Sequence, residues 1–278
     1  MLRSLRPLVL ATAAAVVVTS AAGEPLPPRA RAEGLAALPR LLESVDSPDL
    51  DLALRARRVA KEIVIEWHRS RTPPGMRLLP GRVELSREGV QVVGGLYLAT
   101  CEVTIGDYAL FLAARGQGLR VAAAVPDLPL TMVSLEEARA YAAWKGARLP
   151  TMEELRAAAS GGGVLAYPWG NEFEPRRANT RELGLGRAEP VGSRPLGDSP
   201  EGISDLLGNV AEWTETRLGD GRKARWLAVG GSFDKAMGSP GAATHRLRAD
   251  ARLPDVGFRL ARSLPELALA GTSPAAAD

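Results

Sequence analysis

The clearest periodic pattern of apolar and polar residues lies between residues 50 and 70. Apolar side chains recur there every three or four positions, a spacing that collects them on one face of a helix. The opposite face carries charged residues, including Asp51 and Arg55 one turn apart. This pattern predicts an amphipathic helix. The apolar positions are Leu52, Ala56, Val59, Ala60, Ile63 and Trp67.

Three further helix starts are predicted from local hydrogen-bonding chemistry. Thr104, Ser134 and Thr151 are each followed three residues later by an acid, at Asp107, Glu137 and Glu154. In this arrangement the hydroxyl accepts a hydrogen bond from one free amide of the first helical turn, and the acid accepts from another. Each of these segments is followed by a glycine, the usual residue at a helix end.

The remaining pattern is that of short strands and loops. Residues 82–85 and 90–98 alternate in the manner of strands. From Gly161 to Arg262 Gly, Pro and Asn recur between short apolar runs, which predicts little regular structure. Together with 29 Gly and 21 Pro among 278 residues, these patterns favour a loop-rich α+β fold.

The first 22 residues are typical of a secretory signal. Arg3 and Arg6 precede an apolar stretch, and small residues follow at 20–22. We expect an exported protein, periplasmic or extracellular, that meets a membrane only through this segment if it stays uncleaved. The formal charge of +3 includes Arg3 and Arg6, so the mature chain is nearly neutral and nucleic acid is not an expected partner.

Composition divides the chain into five expected segments. The signal, residues 1–22, is followed by a Pro-rich linker, 23–34, and a helical hairpin, 35–70, that resembles one HEAT-like repeat unit. The motif-rich domain spans 75–262, and a disordered tail follows at 263–278. Because one repeat unit cannot bury a solenoid face alone, the hairpin is expected to pack on the domain or on a partner.

Several motifs in order carry a family resemblance. They include CEVTIGDYALFLAA from Cys101, YPWGNEF from Tyr167, GISDLLGNVAEWTET from Gly202, VGGSF from Val229 and VGFRLAR from Val256. Together they resemble the formylglycine-generating enzyme, or sulfatase-modifying factor, family. The resemblance implies a compact, loop-rich variant of the C-type-lectin fold, here with a short helical segment before it.

The resemblance also implies a structural calcium site. Its ligands would be the side chains of Asp205 and Glu212 and the backbone carbonyls of Gly208 and Val210. Calcium takes six to eight oxygen ligands, and such a mixed set of carboxylates and carbonyls suits it. Asn209 would brace the loop, and Trp213 would pack beside it. The alternative is a loop that keeps its shape without metal.

The catalytic chemistry of the family is not expected here. Members of the family oxidise a substrate cysteine with oxygen, using copper held by two cysteines. The matching positions in this sequence are Lys235 and Pro240, and Cys101 is the only cysteine. The related sulfoxide synthases hold iron with a histidine cluster, whereas this chain has only His68 and His245. We therefore expect neither copper nor iron.

Two functions remain open at this stage. The first is a calcium-stabilised, non-catalytic binding or accessory module of the cell envelope that recognises a peptide, a protein or an anionic ligand. The second is an oxygen-dependent iron or copper oxidoreductase related to the formylglycine-generating, sulfoxide-synthase or siderophore-maturation branches. In the first case the ligand groove would be formed by Trp213, Ser232, Phe233, Lys235, His245, Arg246 and Arg248.

Overall fold

The computed structural model describes residues 28–86, 89–118, 125–236 and 244–267. Contacts divide this chain into two compact units. The first contains helices α1 (Pro28–Ser44) and α2 (Leu50–Arg69), the antiparallel hairpin of β2 (Arg82–Ser86) and β3 (Gly89–Val93), and residues 264–267. The second contains β1 (Met76–Leu79) and residues 96–263.

In the first unit, α1 and α2 pack through apolar faces. Asp49 caps α2 by accepting hydrogen bonds from the N–H groups of Asp51 and Leu52. Asp51 and Arg55 form an ion pair one turn apart on its exposed face. The shared core consists of Leu38, Leu41, Leu42, Val45, Ala56, Val59, Ala60, Ile63, Val64 and Val83.

Two predicted segments differ from the structure at their edges. Helix α1 begins at Pro28, so residues 28–34 are helical and not linker as predicted. Proline suits a helix start, because the N–H it lacks would have no partner there. Ser263, predicted as the first residue of the tail, ends a strand. Residues 1–22 and 268–278 lie outside the described residues.

No helix in the described residues is long and apolar enough to cross a membrane.

The second unit contains three short helices, α3 (Ile105–Ala114), α4 (Leu135–Trp144) and α5 (Met152–Ala159). All three predicted capping boxes are confirmed, each with the hydroxyl and the acid exchanging hydrogen bonds with the backbone. The glycines that follow, Gly116, Gly146 and Gly161, have positive φ, as helix-ending glycines commonly do.

The strands of this unit form two sheets. The first has the order β1-β4-β9, with β4 spanning Leu96–Ala99 and β9 spanning Ala261–Ser263, all antiparallel. The second has the order β7-β6-β5-β8. Its strands are β5 (Ala211–Leu218), β6 (Arg225–Val229), β7 (His245–Leu247) and β8 (Val256–Gly257), the last parallel to β5.

This second sheet corrects the expectation that residues 161–262 hold little regular structure. Strand β5 reads AEWTETRL, in which charged residues interrupt the apolar alternation. It is held by its neighbours β6 and β8, which the local pattern does not reveal. Strand β1 is not among the predicted strands, and it too is defined by pairing, with β4.

The core of the second unit lies between the two sheets and α5. It consists of Leu79, Leu96, Leu98, Leu155, Ala158, Ile203, Leu206, Leu227, Val229 and Ala261. A second cluster is aromatic, with ring centroids 5.2–5.8 Å apart among Tyr108, Phe111, Tyr141, Trp144 and Phe258. The first cluster includes Leu155 and Ala158, just before the long loop 160–210, and Ile203 and Leu206, near its end.

Candidate functional site

The loop that leads into β5 is tightly coiled. Asp205, Gly208 and Asn209 all have positive φ, at 55°, 86° and 56°. Asp and Asn tolerate this left-handed conformation better than other residues with a side chain. At Gly208 no side chain fits, because an added Cβ would lie 2.6 Å from the carbonyl oxygen of Asn179. The loop therefore depends on these residue types for its shape.

Asn209 braces this loop, as predicted. Its Nδ2 donates to Glu102 Oε1 at 3.1 Å, and its Oδ1 accepts from Asn179 Nδ2 at 3.2 Å and from the Glu189 N–H at 3.0 Å. Its backbone accepts from the N–H of Phe233 at 2.9 Å. One buried side chain thus connects three separate loop segments.

Glu212 is paired with a residue that the sequence did not identify as part of the site. Both of its carboxylate oxygens accept from Arg259, Oε2 from Nε at 2.7 Å and Oε1 from Nη2 at 2.6 Å. The two side chains are 2% and 0% exposed. Arg259 also donates to the carbonyl of Ser204 at 2.9 Å and of Ala99 at 3.2 Å. This is a two-point guanidinium–carboxylate pair inside the protein.

Two more acids lie near this pair. Burial raises the pKa of Glu102 well above its usual range, and the negative charge of Asp205 raises it further. Burial also raises the pKa of Asp205, although its Oδ2 accepts from the Gly192 N–H at 2.7 Å. For Arg259, burial favours loss of the proton, but the attraction of Glu212, Glu102 and Asp205 outweighs it and raises the pKa.

These contacts do not suit the calcium site predicted at Asp205, Gly208, Val210 and Glu212. Calcium needs carboxylate oxygens free to coordinate it. Here both oxygens of Glu212 are held by Arg259, and a calcium ion beside them would be repelled by the guanidinium. The cation that faces this loop is Arg259.

A second polar cluster surrounds Ser232, in the turn where the family's thiolates would follow. Ser232 is buried, and its Oγ donates to Asp255 Oδ2 at 2.9 Å. His245 Nε2 lies 3.6 Å from the same oxygen, beyond hydrogen-bond distance. Burial lowers the pKa of His245, with Lys235 adding to the effect and Asp255 opposing it. Ser232, His245 and Lys235, three of the expected groove residues, thus lie close together.

This cluster is not arranged for nucleophilic catalysis. A serine nucleophile needs a base that accepts its proton, and histidine commonly serves as that base. Here Ser232 donates its hydroxyl hydrogen to Asp255, and His245 faces Asp255 as well. The thiol of Cys101 is no substitute. It lies just beyond β4, and burial raises its pKa, which disfavours the reactive thiolate. Pro240, the second expected thiolate position, lies outside the described residues.

Trp213 and Arg248, two further predicted groove residues, do not share a surface with this cluster. Trp213 is fully buried and donates from Nε1 to the Val133 carbonyl at 2.9 Å, so it is a packing residue. Phe233 is half-buried, and Arg246 is exposed on β7. Arg248 is exposed and pairs with Asp250 through two hydrogen bonds of 3.0 Å.

Arg248 instead lines a cleft that the sequence did not predict. The cleft has a volume of about 410 Å³ and lies between the start of α4 and the turn at residues 248–252. Its polar and aromatic walls include Glu136, Arg222, Trp226, Arg248, Asp250 and Arg252. Arg222 and Trp226 are 26 and 22 residues from Arg248, so only the pairing of β6 with β7 brings them together.

Comparison with known proteins identifies the family. Residues 66–264 match the sulfatase-modifying factor enzyme 1-like domain. Because this match covers most of the chain, the protein belongs to that family. The expected fold class is confirmed as a loop-rich α+β fold of the formylglycine-generating enzyme type.

Two curated relatives illustrate the range of proteins with similar sequence. The inactive C-alpha-formylglycine-generating enzyme 2 of Mus musculus is 39% identical over 171 residues, covering 54% of this chain and 53% of the relative. The hercynine oxygenase of Mycobacterium tuberculosis is 46% identical over 98 residues, covering 33% of this chain and 23% of that protein. The chain thus spans about half, or less, of the length of these relatives.

One solved structure supports the fold alone. The crystal structure of CarF has a TM-score of 0.53 and is 20% identical in sequence. The similarity covers 68% of this chain and 95% of CarF.

Replacing Arg259 is expected to destabilise the protein strongly. The variant Arg259→Met leaves Glu212 buried without its partner, a change that typically costs about 3–5 kcal/mol. Arg259→Lys keeps the charge but loses the two-point contact. Its free energy of unfolding should therefore lie between those of the wild type and Arg259→Met. Urea unfolding followed by circular dichroism measures this. The matched control is Arg248→Met, which breaks an exposed pair of the same geometry and should leave the midpoint nearly unchanged.

The raised pKa of Glu102 predicts a specific pH dependence of stability. Unfolded Glu titrates near roughly 4.3, so above that pH the folded state holds a proton that the unfolded state releases. The free energy of unfolding should therefore fall as pH rises from about 4.3 towards the folded pKa. Glu102→Gln keeps an oxygen to accept from Asn209 and removes this titration. Its urea unfolding midpoint should decrease less between pH 5 and pH 7 than that of the wild type. Parallel decreases in the two proteins would contradict a raised pKa of Glu102.

Proposed function

We propose that this chain is a non-catalytic binding or accessory module of the sulfatase-modifying factor family. The observation that carries the proposal is the absence of thiolate ligands: the single cysteine, Cys101, lies outside the turn after Ser232, and Lys235 stands at the first thiolate position. Copper held by a pair of thiolates therefore has no counterpart in this chain. The mouse relative is likewise named inactive.

The surroundings of Ser232 support this proposal. Lys235 places a positive charge near His245, and burial and that charge both lower the imidazole pKa. The Ser232 hydroxyl is occupied by Asp255. A cation at Lys235 and a hydroxyl held by a carboxylate favour a fixed polar turn over a reactive centre.

We further propose that the module works outside the cytoplasm. Support comes from the sequence of residues 1–22, with Arg3 and Arg6 before an apolar run and small residues at 20–22. In this setting the chain would serve the cell envelope or its surroundings by recognising a peptide, a protein or an anionic ligand.

An oxidoreductase is the second candidate, and two observations favour it. A relative of 46% identity is named hercynine oxygenase. In addition, His245 Nε2 has no hydrogen-bond partner among the described residues and lies beside Asp255. One imidazole and one carboxylate are fewer ligands than the three protein ligands of typical non-haem iron sites. The first proposal therefore accounts for more of the residues.

An oxygen-consumption assay distinguishes the two functions. The protein, incubated with copper(I) or iron(II) salt, a reducing agent and a cysteine-containing peptide, should consume oxygen no faster than the same mixture without protein. Mass spectrometry should find the peptide unchanged.

Two variants identify the source of any activity. Oxygen consumption that survives Cys101→Ser but is lost in His245→Ala would contradict the binding module and support a histidine-based oxidase. Oxygen consumption that is lost in Cys101→Ser would also contradict the binding module and would identify the Cys101 thiol as the source of the activity.

A further inference from the structure

We propose that the cleft beside Trp226 binds an acidic segment of an extended polypeptide, with Arg222 as its main anchor. The proposal rests on the proposed binding function, to which it adds the ligand class and the binding cleft. The cleft volume of about 410 Å³ lies at the lower end of the range typical of ligand sites. The following contacts identify the chemistry that it would recognise.

Three arginines line the cleft, and in the described part of the chain Arg222 alone of them has no ion pair. Arg248 is held by Asp250 through two hydrogen bonds. Arg252 is hydrogen-bonded to Glu137 and to the Met132 carbonyl. Arg222 forms no ion pair within the described residues, and its turn, Gly221–Lys223, borders the cleft. A guanidinium in this position is ready to bind a carboxylate.

Trp226, in the wall of the cleft, is held in place by neighbouring side chains before any ligand arrives. Trp226 is directly opposite Arg217 across the β5–β6 pair, and that guanidinium lies 5.5 Å from the indole centroid. Arg139 lies 5.8 Å from the same ring and is itself held by Glu215 through Nε at 3.0 Å. Because these side chains are already ordered, binding costs less conformational entropy.

The distribution of charge favours a peptide over a dense polyanion. Glu136 and Asp250 stand in the cleft walls among the arginines. They would repel a chain that carries a negative charge at every unit, such as a nucleic acid. A polypeptide with one or two carboxylates can place these at Arg222 and leave neutral groups beside the acids.

The adjoining strand suits an extended ligand. Strand β7, His245–Leu247, is at the edge of its sheet and runs directly into Arg248 in the cleft wall. Within the described residues its outer side pairs with no strand. Edge strands offer main-chain donors and acceptors that an extended segment can use, while nearby side chains provide selectivity.

Fluorescence anisotropy with a matched pair of peptides tests this proposal. One dye-labelled octapeptide carries two Asp residues among Gly and Ser, and the other carries Asn in their place. The Asp peptide should bind about tenfold more tightly, as expected for losing one charge-assisted hydrogen-bond pair. Arg222→Gln should remove most of that difference, and rising salt should weaken binding.

Arg40→Gln is the matched control, since Arg40 is an exposed arginine of α1 and its loss changes the net charge equally. Equal binding of the two peptides, or equal loss in both variants, would overturn the assignment of the cleft. Millimolar inorganic phosphate and sulfate are compared with unlabelled peptide as competitors of the Asp peptide. If they displace it as effectively, the ligand of the cleft is a small oxyanion and the polypeptide assignment is wrong. If the peptide fails to bind while oxygen consumption stays at background, only this inference is contradicted. Oxygen consumption above background would contradict the proposed binding function as well.

Discussion

The buried contact between Arg259 and Glu212 joins two elements of the second unit that are 47 residues apart in sequence. Arg259 lies between β8 and β9, and Glu212 lies on β5. The remaining donors of Arg259 reach carbonyls at the end of β4 and at Ser204, where the coiled loop begins. A buried guanidinium is tolerated only when its donors are satisfied and its charge is matched. Satisfying this one side chain therefore sets the positions of two sheets and one loop together.

This constraint changes how the residues of the loop before β5 are interpreted. An aspartate, a glycine, an asparagine and a glutamate within eight residues resemble a calcium loop. In the structure, Gly208 permits the close approach of Asn179, Asn209 joins loop segments, and Glu212 neutralises Arg259. An internal cation thus supplies the positive charge that a metal would bring. A scaffold stabilised in this way can keep the family fold while Lys235 stands at the first expected thiolate position. The recognition surface that we propose lies elsewhere, along β6 and β7.

The sequence predicted local features well and non-local ones poorly. The capping boxes at Thr104, Ser134 and Thr151 depend on residues three positions apart, so their chemistry is visible in the sequence. Strand β5 depends on its pairing with β6 and β8, and Arg259 depends on Glu212, 47 residues away, so no local pattern reveals either. Trp213 was predicted both as a packing residue and as a groove residue, and only its burial decides between them. The cleft at Arg222 and Trp226 could not be predicted, because no local motif marks it and only the register of β6 with β7 creates it.

We propose that Arg259, and not a metal ion, provides the positive charge beside the loop before β5. The most direct test is elemental mass spectrometry of the full chain, purified without chelators and dialysed against micromolar calcium. We predict calcium, iron and copper all well below one atom per chain. One calcium retained per chain, and lost in the variant Asp205→Asn, would show that a metal occupies this loop and would contradict the account.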